Sequence, residues 1–167
     1  RHKFKKDQGD TSLVATISPS PHYTVQHAYS LLKHVKRRFS QDNVRGESAF
    51  IGGLTDSDVV VDLGCGDGRW LIYAAKHYGC KCIGLGINEE RLALCHQRAN
   101  EENVSHLCSF RCQDIFEADI SEASVLITYL FPEGVKRIAQ NLRNRLFPGT
   151  AIISPRFKYP EPDWKVA

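Results

Sequence analysis

A glycine-rich turn constrains the fold of this chain more than any other feature of its sequence. Residues 59–63 (VVVDL) form a β-branched, apolar run that leads directly into Gly64, Gly66 and Gly68. β-Branched residues favour strands, and glycines allow the backbone to turn tightly and to approach a ligand closely. The helical period of the residues from Arg69 onward completes a predicted strand–turn–helix unit.

Short apolar runs alternate with segments of helical period from residue 59 onward. This alternation predicts an α/β fold with a doubly wound, mostly parallel sheet and helices on both faces. Sheets of this kind bind ligands beyond the carboxyl ends of their strands. The predicted elements are an initial helix from Tyr23, five strands at 59–63, 81–85, 107–112, 125–130 and 150–154, and helices that begin near Arg69, Asn88 and Pro132.

The chain is expected to form a single domain with three parts. Residues 1–18 carry little pattern and are predicted to be a flexible N-terminal segment. Residues 19–56 are predicted to form a helix and a loop that pack on the core. Residues 57–167 are predicted to form the ligand-binding part.

Composition excludes several classes of protein. A hydrophobic content of 42% and a charged content of 25% are typical of a globular protein. No apolar run reaches the roughly 18 residues of a membrane span, and the basic first residues lead into polar ones, which predicts no signal peptide. The net charge of +3 is too small to indicate nucleic-acid binding. The six cysteines form no C-x-x-C pair, so we expect reduced, mostly buried thiols in an intracellular protein and no metal site.

The spacing of the glycines distinguishes the turn from two nucleotide-binding loops. A dinucleotide fingerprint that starts at Gly64 would need glycine or alanine where Arg69 stands. A nucleoside-triphosphate loop would need a Gly-Lys-Ser/Thr sequence, which the chain lacks. Because the turn has the carboxylate of Asp62 at its head, it suits a cationic ligand better than a pyrophosphate.

The run Asp62-Leu63-Gly64-Cys65-Gly66-Asp67-Gly68 resembles the first motif of the class I S-adenosylmethionine-dependent methyltransferases. Residues 17–21, 118–133 and 146–157 are similar, in order and spacing, to a small subfamily. This subfamily includes the mitochondrial lysine methyltransferases of the ATP synthase c-subunit and the adenine nucleotide translocase, and prokaryotic relatives. The resemblance covers about residues 17–165. It implies a Rossmann-like methyltransferase fold, methyltransferase activity and S-adenosyl-L-methionine as cofactor.

The resemblance also implies a cofactor site. The glycine turn would wrap the amino-acid end of the cofactor, with Asp62 acting on it directly or through water. Asp114 matches the family residue that receives the adenine amino group, with Ile115 beside the ring. Ser20 matches a hydroxyl that closes over the cofactor. The predicted cofactor-binding residues are Ser20, Asp62, Gly64, Cys65, Gly66, Asp67, Gly68, Gly86, Asn88, Asp114 and Ile115.

One position departs from the family pattern. The family carries Asp or Glu at the end of the second predicted strand, where it binds both ribose hydroxyls, and this chain has Gly86 there. Either Asn88 or Glu89 substitutes through a shifted backbone, or ribose binding loses a pair of charged hydrogen bonds. Each such bond contributes roughly 1.5–3 kcal/mol.

The residues after the fourth predicted strand are the candidates for contact with the methyl acceptor. Tyr129 and Glu133 are the predicted catalytic residues. An acceptor lysine must lose its proton, which a desolvated pocket or a nearby carboxylate promotes. The Asn/Asp-Pro-Pro-Tyr signature of enzymes that act on planar amides and nucleobase amines is absent. The leading hypothesis is methyl transfer to a protein lysine, by an enzyme that is cytoplasmic or mitochondrial and by default monomeric.

Two other functions stay open. An RNA methyltransferase is favoured by the basic segment 33–38 and by basic residues of the last predicted helix, and it would bind RNA in a salt-dependent way. A non-catalytic module with a decayed cofactor site is favoured by Gly86. A complete sheet of this family has seven strands, so the last two are expected beyond Ala167, where they are cut off, disordered or absent. The basic residues of the last helix are Lys136, Arg137, Arg143 and Arg145.

Overall fold

A parallel β-sheet forms the centre of the computed structural model, which describes residues 13–16, 25–30, 32, 53–146, 150–155, 159 and 165–166. Within these ranges, no helix combines the length and the apolarity needed to cross a bilayer. The strands are β1 Leu13–Thr16, β2 Val59–Leu63, β3 Lys81–Gly86, β4 Cys108–Cys112, β5 Val125–Thr128, β6 Ala151–Ser154 and β7 Lys165–Val166. The helices are α1 at residues 25–30, α2 Arg69–Tyr78, α3 Glu89–Glu101 and α4 Pro132–Arg145.

The strand order of the sheet is β4-β3-β2-β5-β6-β1-β7, and every neighbouring pair is parallel. The chain therefore winds outward from β2 through β3 to β4 and then crosses to β5 on the other side of β2. This reversal places the carboxyl ends of β2 and β5 at the topological switch point, the usual ligand site of such sheets. The predicted doubly wound α/β fold is confirmed.

Two apolar clusters cover the two faces of the sheet. Since side chains alternate along a strand, Val60 belongs to one cluster, while Val61 and Leu63 belong to the other. The first cluster includes buried residues of α1, α2 and α3, and the second includes the buried stripe of α4. In the first, Tyr29 of α1 stacks on Tyr73 of α2 with ring centroids 5.9 Å apart.

The sheet has two strands more, among the residues described, than the five predicted. Beyond β6 lie β1 and β7, in which Leu13 pairs with Ala151 on one side and with Lys165 on the other. Four residues of the segment predicted to be flexible are therefore a strand, and the described residues form a seven-stranded sheet. The physical reason is that β6 is buried along its whole length, so its backbone groups need a partner strand.

The ends of several elements follow from local chemistry. Gly79 ends α2 in the left-handed conformation, with φ of 69°. Asn88 caps α3 by accepting the N–H of Arg91 at 2.9 Å, which confirms the predicted start of this helix. The predicted strand 125–130 ends instead at Thr128. The chain leaves the sheet at this point, and the next residue, Tyr129, is exposed at the carboxyl edge.

Candidate active site

The glycine turn joins β2 to α2 at the carboxyl edge of the sheet. Gly64, Gly66 and Gly68 have φ values of 80°, 57° and 73°, a region that favours glycine. The N–H groups of Gly64 and Cys65 both donate to the carbonyl of Leu85 on β3, at 2.9 and 3.0 Å. A Cβ at Gly66 would meet no atom nearer than the Gly64 oxygen at 4.0 Å. The turn is thus fastened to the sheet on one side and open on the other.

Asp62 lies beneath this turn with one carboxylate oxygen unpaired. Its side chain is buried, and Oδ1 has no hydrogen-bond partner among the residues that the structure describes. Burial raises the pKa of Asp62 from 3.8 to about 7, with a further contribution from the negative charge of Asp67. A cation that reached this carboxyl group would favour its ionised form. Asp62 therefore fits a ligand with a positively charged group.

The carboxylate of Asp67 is paired with two arginines. Arg69 donates to it from Nε at 2.9 Å and from Nη2 at 2.7 Å. Arg98 of α3 places Nη1 2.8 Å from the same carboxylate and also donates to the Asp67 carbonyl at 3.2 Å. The hydrogen bonds from Arg69 are the main reason why the pKa of Asp67 lies below its usual range. Through these ion pairs, Asp67 stabilises the turn. A contact between Asp67 and a cofactor stays a prediction.

The underside of the turn packs tightly against β3. The Cys65 thiol is buried, and burial raises its pKa. The Cys95 thiol donates to the Gly66 carbonyl at 3.4 Å. A Cβ at Gly84 would lie 2.6 Å from Phe110 Cδ1 and 2.8 Å from Cys65 Sγ, so only glycine fits there. Sequence reasoning missed Gly84, because a single glycine within an apolar run does not show which side chains of other elements pack against it. All six cysteines are free and four are buried, which confirms the prediction of mostly buried thiols.

The end of β3 carries no acidic side chain. The carbonyl of Gly86 accepts the N–H of Gln113 at 2.9 Å, and a Cβ there would make an ordinary contact with Leu92 Cδ2 at 3.6 Å. The side-chain oxygen of Asn88 is engaged in capping α3. Glu89 is exposed in the first turn of that helix. Asn88 therefore has a structural role here, and a contact of any of these residues with a ribose stays a prediction.

Asp114 and Ile115 follow β4 at the same edge of the sheet. Asp114 is exposed, and its Oδ1 accepts the N–H of Phe116 at 2.9 Å, which closes a tight turn. On the inner side of this turn, Nη2 of Arg145 donates to the carbonyls of Ile115 and Ala118. Sequence reasoning missed this role, because it counted Arg145 among basic residues that favour RNA binding.

The segment after β5 lies beside the glycine turn. A Cβ at Gly64 would be 3.5 Å from Leu130 Cδ2. The flanking rings face solvent, with Tyr129 51% and Phe131 78% exposed. The pKa of Arg69 is raised mainly by Asp67 and to a smaller extent by the phenol of Tyr129, so this phenol also lies near the turn.

Glu133, a predicted catalytic residue, is not joined to this cluster in the part of the chain that the structure describes. Glu133 is exposed in the first turn of α4, and no hydrogen bond links it to Tyr129 within the described ranges. Ser20 lies outside the described residues. In the part of the chain that the structure covers, no three His, Cys, Asp or Glu residues are grouped to hold a metal ion. The cluster therefore consists of a turn with an unpaired buried carboxyl, flanked by the ends of β3, β4 and β5.

Comparison with known proteins agrees with this arrangement. A family model described as the ANTKMT methyltransferase domain matches residues 62–166. A protein-lysine N-methyltransferase of Saccharolobus islandicus is 33% identical over 130 residues, which are 77% of this chain and 81% of that protein. The lysine N-methyltransferase of the ATP synthase c-subunit from Xenopus laevis is 30% identical over 102 residues. This match covers 61% of the chain and 45% of the relative, so the chain spans less than half of that protein.

A solved structure extends the comparison to the fold. It is an RNA methyltransferase from Salinibacter ruber in complex with S-adenosyl-L-homocysteine. The two chains are 32% identical and superpose with a TM-score of 0.65 over 80% of this chain and 74% of the other.

Proposed function

Because the chain belongs to the ANTKMT methyltransferase domain family, we propose that it transfers a methyl group from S-adenosyl-L-methionine to the side-chain amine of a protein lysine. The observation that carries this proposal is the buried, unpaired carboxyl of Asp62 beneath an open glycine turn. A buried carboxylate without a partner is costly, and a cationic cofactor compensates for that cost. The lysine acceptor is supported by the relatives that are named protein-lysine methyltransferases.

The residues present fit this cofactor at both of its ends. When bound, S-adenosyl-L-methionine supplies a methyl group on a positively charged sulfur. The glycine turn and Asp62 would hold its amino-acid end, and Asp114 with Ile115 would hold the adenine. Gly86 would lie at the ribose and offers it no carboxylate.

The segment after β5 would receive the acceptor lysine. The exposed rings of Tyr129 and Phe131 flank Leu130, which lies beside the turn, and they would shield the incoming amine from water. Loss of water lowers the pKa of a lysine ammonium, and a neutral amine is the form that attacks. We assign Glu133 as the acceptor of the lysine proton and Tyr129 as the residue that orients the amine.

The proposal is tested with labelled S-adenosyl-L-methionine and a cell extract. We expect label in protein that is recovered as methylated lysine after hydrolysis. Asp62→Asn should abolish labelling, whereas Lys76→Met, an exposed change in the last turn of α2, should preserve it. Label that resists protease and is released by ribonuclease would contradict the lysine acceptor.

Cofactor binding is tested separately by calorimetry with S-adenosyl-L-homocysteine. Measurable heat supports the cofactor site. No heat at millimolar ligand would favour the non-catalytic module instead. The predicted monomeric state and the cytoplasmic or mitochondrial location stay predictions.

RNA is a second candidate acceptor. The observation that favours it is the 32% identity to a structure described as an RNA methyltransferase. RNA binding through phosphate contacts weakens steeply with salt. Filter binding of total RNA at increasing salt, together with the labelling experiment, distinguishes the two acceptors.

A further inference from the structure

The connection from β4 to β5 carries Asp114 and contains no helix. Residues 113–124 are turns and extended backbone throughout. The Asp114 carbonyl accepts the N–H groups of Glu117 and Ala118 at 3.2 and 3.0 Å, and the Asp114 side chain accepts that of Phe116. These bonds close the turn from within. The carbonyls of Ile115 and Ala118 need partners from elsewhere in the protein.

Arg145, the last residue of α4, supplies these partners. Its Nη2 donates to the Ile115 carbonyl at 3.1 Å and also to the Ala118 carbonyl. Its Nη1 is buried and has no hydrogen-bond partner among the described residues. Burial lowers the pKa of this guanidinium, while Asp119 and Asp114 act in the opposite direction. The Arg145 guanidinium thus lies partly buried beneath the turn, although its solvation in water would be more favourable.

A second arginine of α4 holds the same turn from the side. The guanidinium carbon of Arg137 lies 3.9 Å from the ring centre of Phe116. Arg137 and Arg145 are two turns apart on α4 and therefore reach the connection together. Phe116 is only two residues beyond Asp114, so both contacts act on the segment that sets the direction of the Asp114 carboxylate.

We propose that Arg145 is a positioning residue for recognition of the adenine base. By holding the carbonyls of Ile115 and Ala118, it fixes the turn that presents the Asp114 carboxylate to the adenine amino group. This inference rests on the proposed function, and in particular on the role of Asp114. The planar guanidinium suits the task because one nitrogen can reach two carbonyls in a fixed orientation.

The test compares two ligands that differ at the purine edge that Asp114 would recognise. S-Adenosyl-L-homocysteine has an amino group on the purine, and S-inosyl-L-homocysteine has an oxygen there. The wild-type protein should bind the adenosyl ligand more tightly, because a carboxylate accepts a hydrogen bond from the amino group and repels the oxygen. Arg145→Met should weaken binding of the adenosyl ligand about tenfold and change binding of the inosyl ligand much less.

Four further variants make the test selective. Arg145→Lys should restore part of the discrimination, because an ammonium can donate to both carbonyls. Asp114→Asn should lose the discrimination, and adding Arg145→Met to it should cause no further loss. Lys76→Met, an exposed change in the last turn of α2, should keep the wild-type ratio.

The outcomes separate this inference from the proposed function. Equal weakening of both ligands by Arg145→Met would mean a merely structural role and would overturn the inference. If Arg145→Met does not fold, Arg145→Lys decides, since equal weakening of both ligands in that variant also overturns the inference. A wild-type protein that binds neither ligand overturns the cofactor assignment itself.

Discussion

Asp62 has opposite effects on folding and on ligand binding. Its carboxyl is buried with one oxygen unpaired, so ionisation without a ligand is unfavourable and the pKa rises to about 7. A bound cation reverses that preference. The same group that lowers the stability of the empty protein thus provides the charge that a cationic cofactor needs.

We therefore expect Asp62→Asn to stabilise the empty protein at high pH. The folded state binds the Asp62 proton more tightly than the unfolded state, whose pKa is near 3.8. Wild-type stability relative to the variant should then fall as the pH rises from about 4 to about 7 and stay level above it. At pH 8 the variant should be more stable by roughly 2–4 kcal/mol. Urea unfolding at several pH values measures this gap, and a gap that does not change with pH would refute it.

Gly86 gives a prediction of the opposite kind, a gain in binding. A Cβ at this position has room, since its nearest contact would be Leu92 Cδ2 at 3.6 Å. Gly86→Asp should lower the dissociation constant of S-adenosyl-L-homocysteine about tenfold, because it supplies the missing carboxylate to the ribose. Gly86→Ala is the control and should give no gain. Calorimetry that finds no change in Gly86→Asp would indicate that another group already holds the ribose.

The sequence was informative about residues whose role is local. Glycine spacing identified the turn, and the helical period identified a helix that begins near Asn88. Arg98 and Arg145 could not be recognised in this way. Their partners, the Asp67 carboxylate and the Ile115 carbonyl, are 31 and 30 residues away, and only helix packing brings them together. A basic residue on a helix looks the same in sequence whether it faces solvent or a buried carbonyl.

Among the elements, β3 was predictable as a strand, but its fit beneath the glycine turn was not. Its apolar run and its position after a helix stop give its location. The requirement for glycine in its middle depends on Phe110 of β4, Cys65 of the turn and Leu71 of α2. Because these contacts come from three other parts of the fold, no local sequence pattern predicts them.

Two alanine substitutions in β3 test this account. In Gly84→Ala the new methyl group would lie within 2.9 Å of three side chains, so we expect a loss of about 1–3 kcal/mol in stability. Gly86→Ala, two residues along on the same strand, should change stability by less than about 0.5 kcal/mol. Thermal unfolding measures both, and equal effects would show that the packing under the turn can relax.

In the whole molecule, the strand order places β1 and β7, the first and last of the described strands, side by side. β1 lies between β6 and β7, so β7 has β1 as its neighbour among the described strands. Sequence reasoning did not find β1, because four residues without a flanking turn signal form a strand only when an open edge is available. The edge of β6 provides it.

Val14→Pro should therefore disturb both ends of the chain at once. Proline removes a backbone donor from a strand that pairs on both sides. We expect a lower melting temperature and faster hydrogen exchange at Lys165 and Val166, with the amides of β2 still protected. Unchanged exchange at these two residues would contradict the pairing of β7 with β1.

The position of β1 also sets the order of events during synthesis. Leu13 pairs with Ala151 and Lys165, so β1 is synthesised before either of its neighbours in the sheet. The neighbouring strands β2, β3 and β4 can assemble as they emerge, whereas β1 waits until β6 and β7 have been made. Contacts between distant parts of a chain form slowly, and an unpaired strand can meet the wrong partner meanwhile. Among the described strands, β1 is thus the one that stays unpaired longest during synthesis.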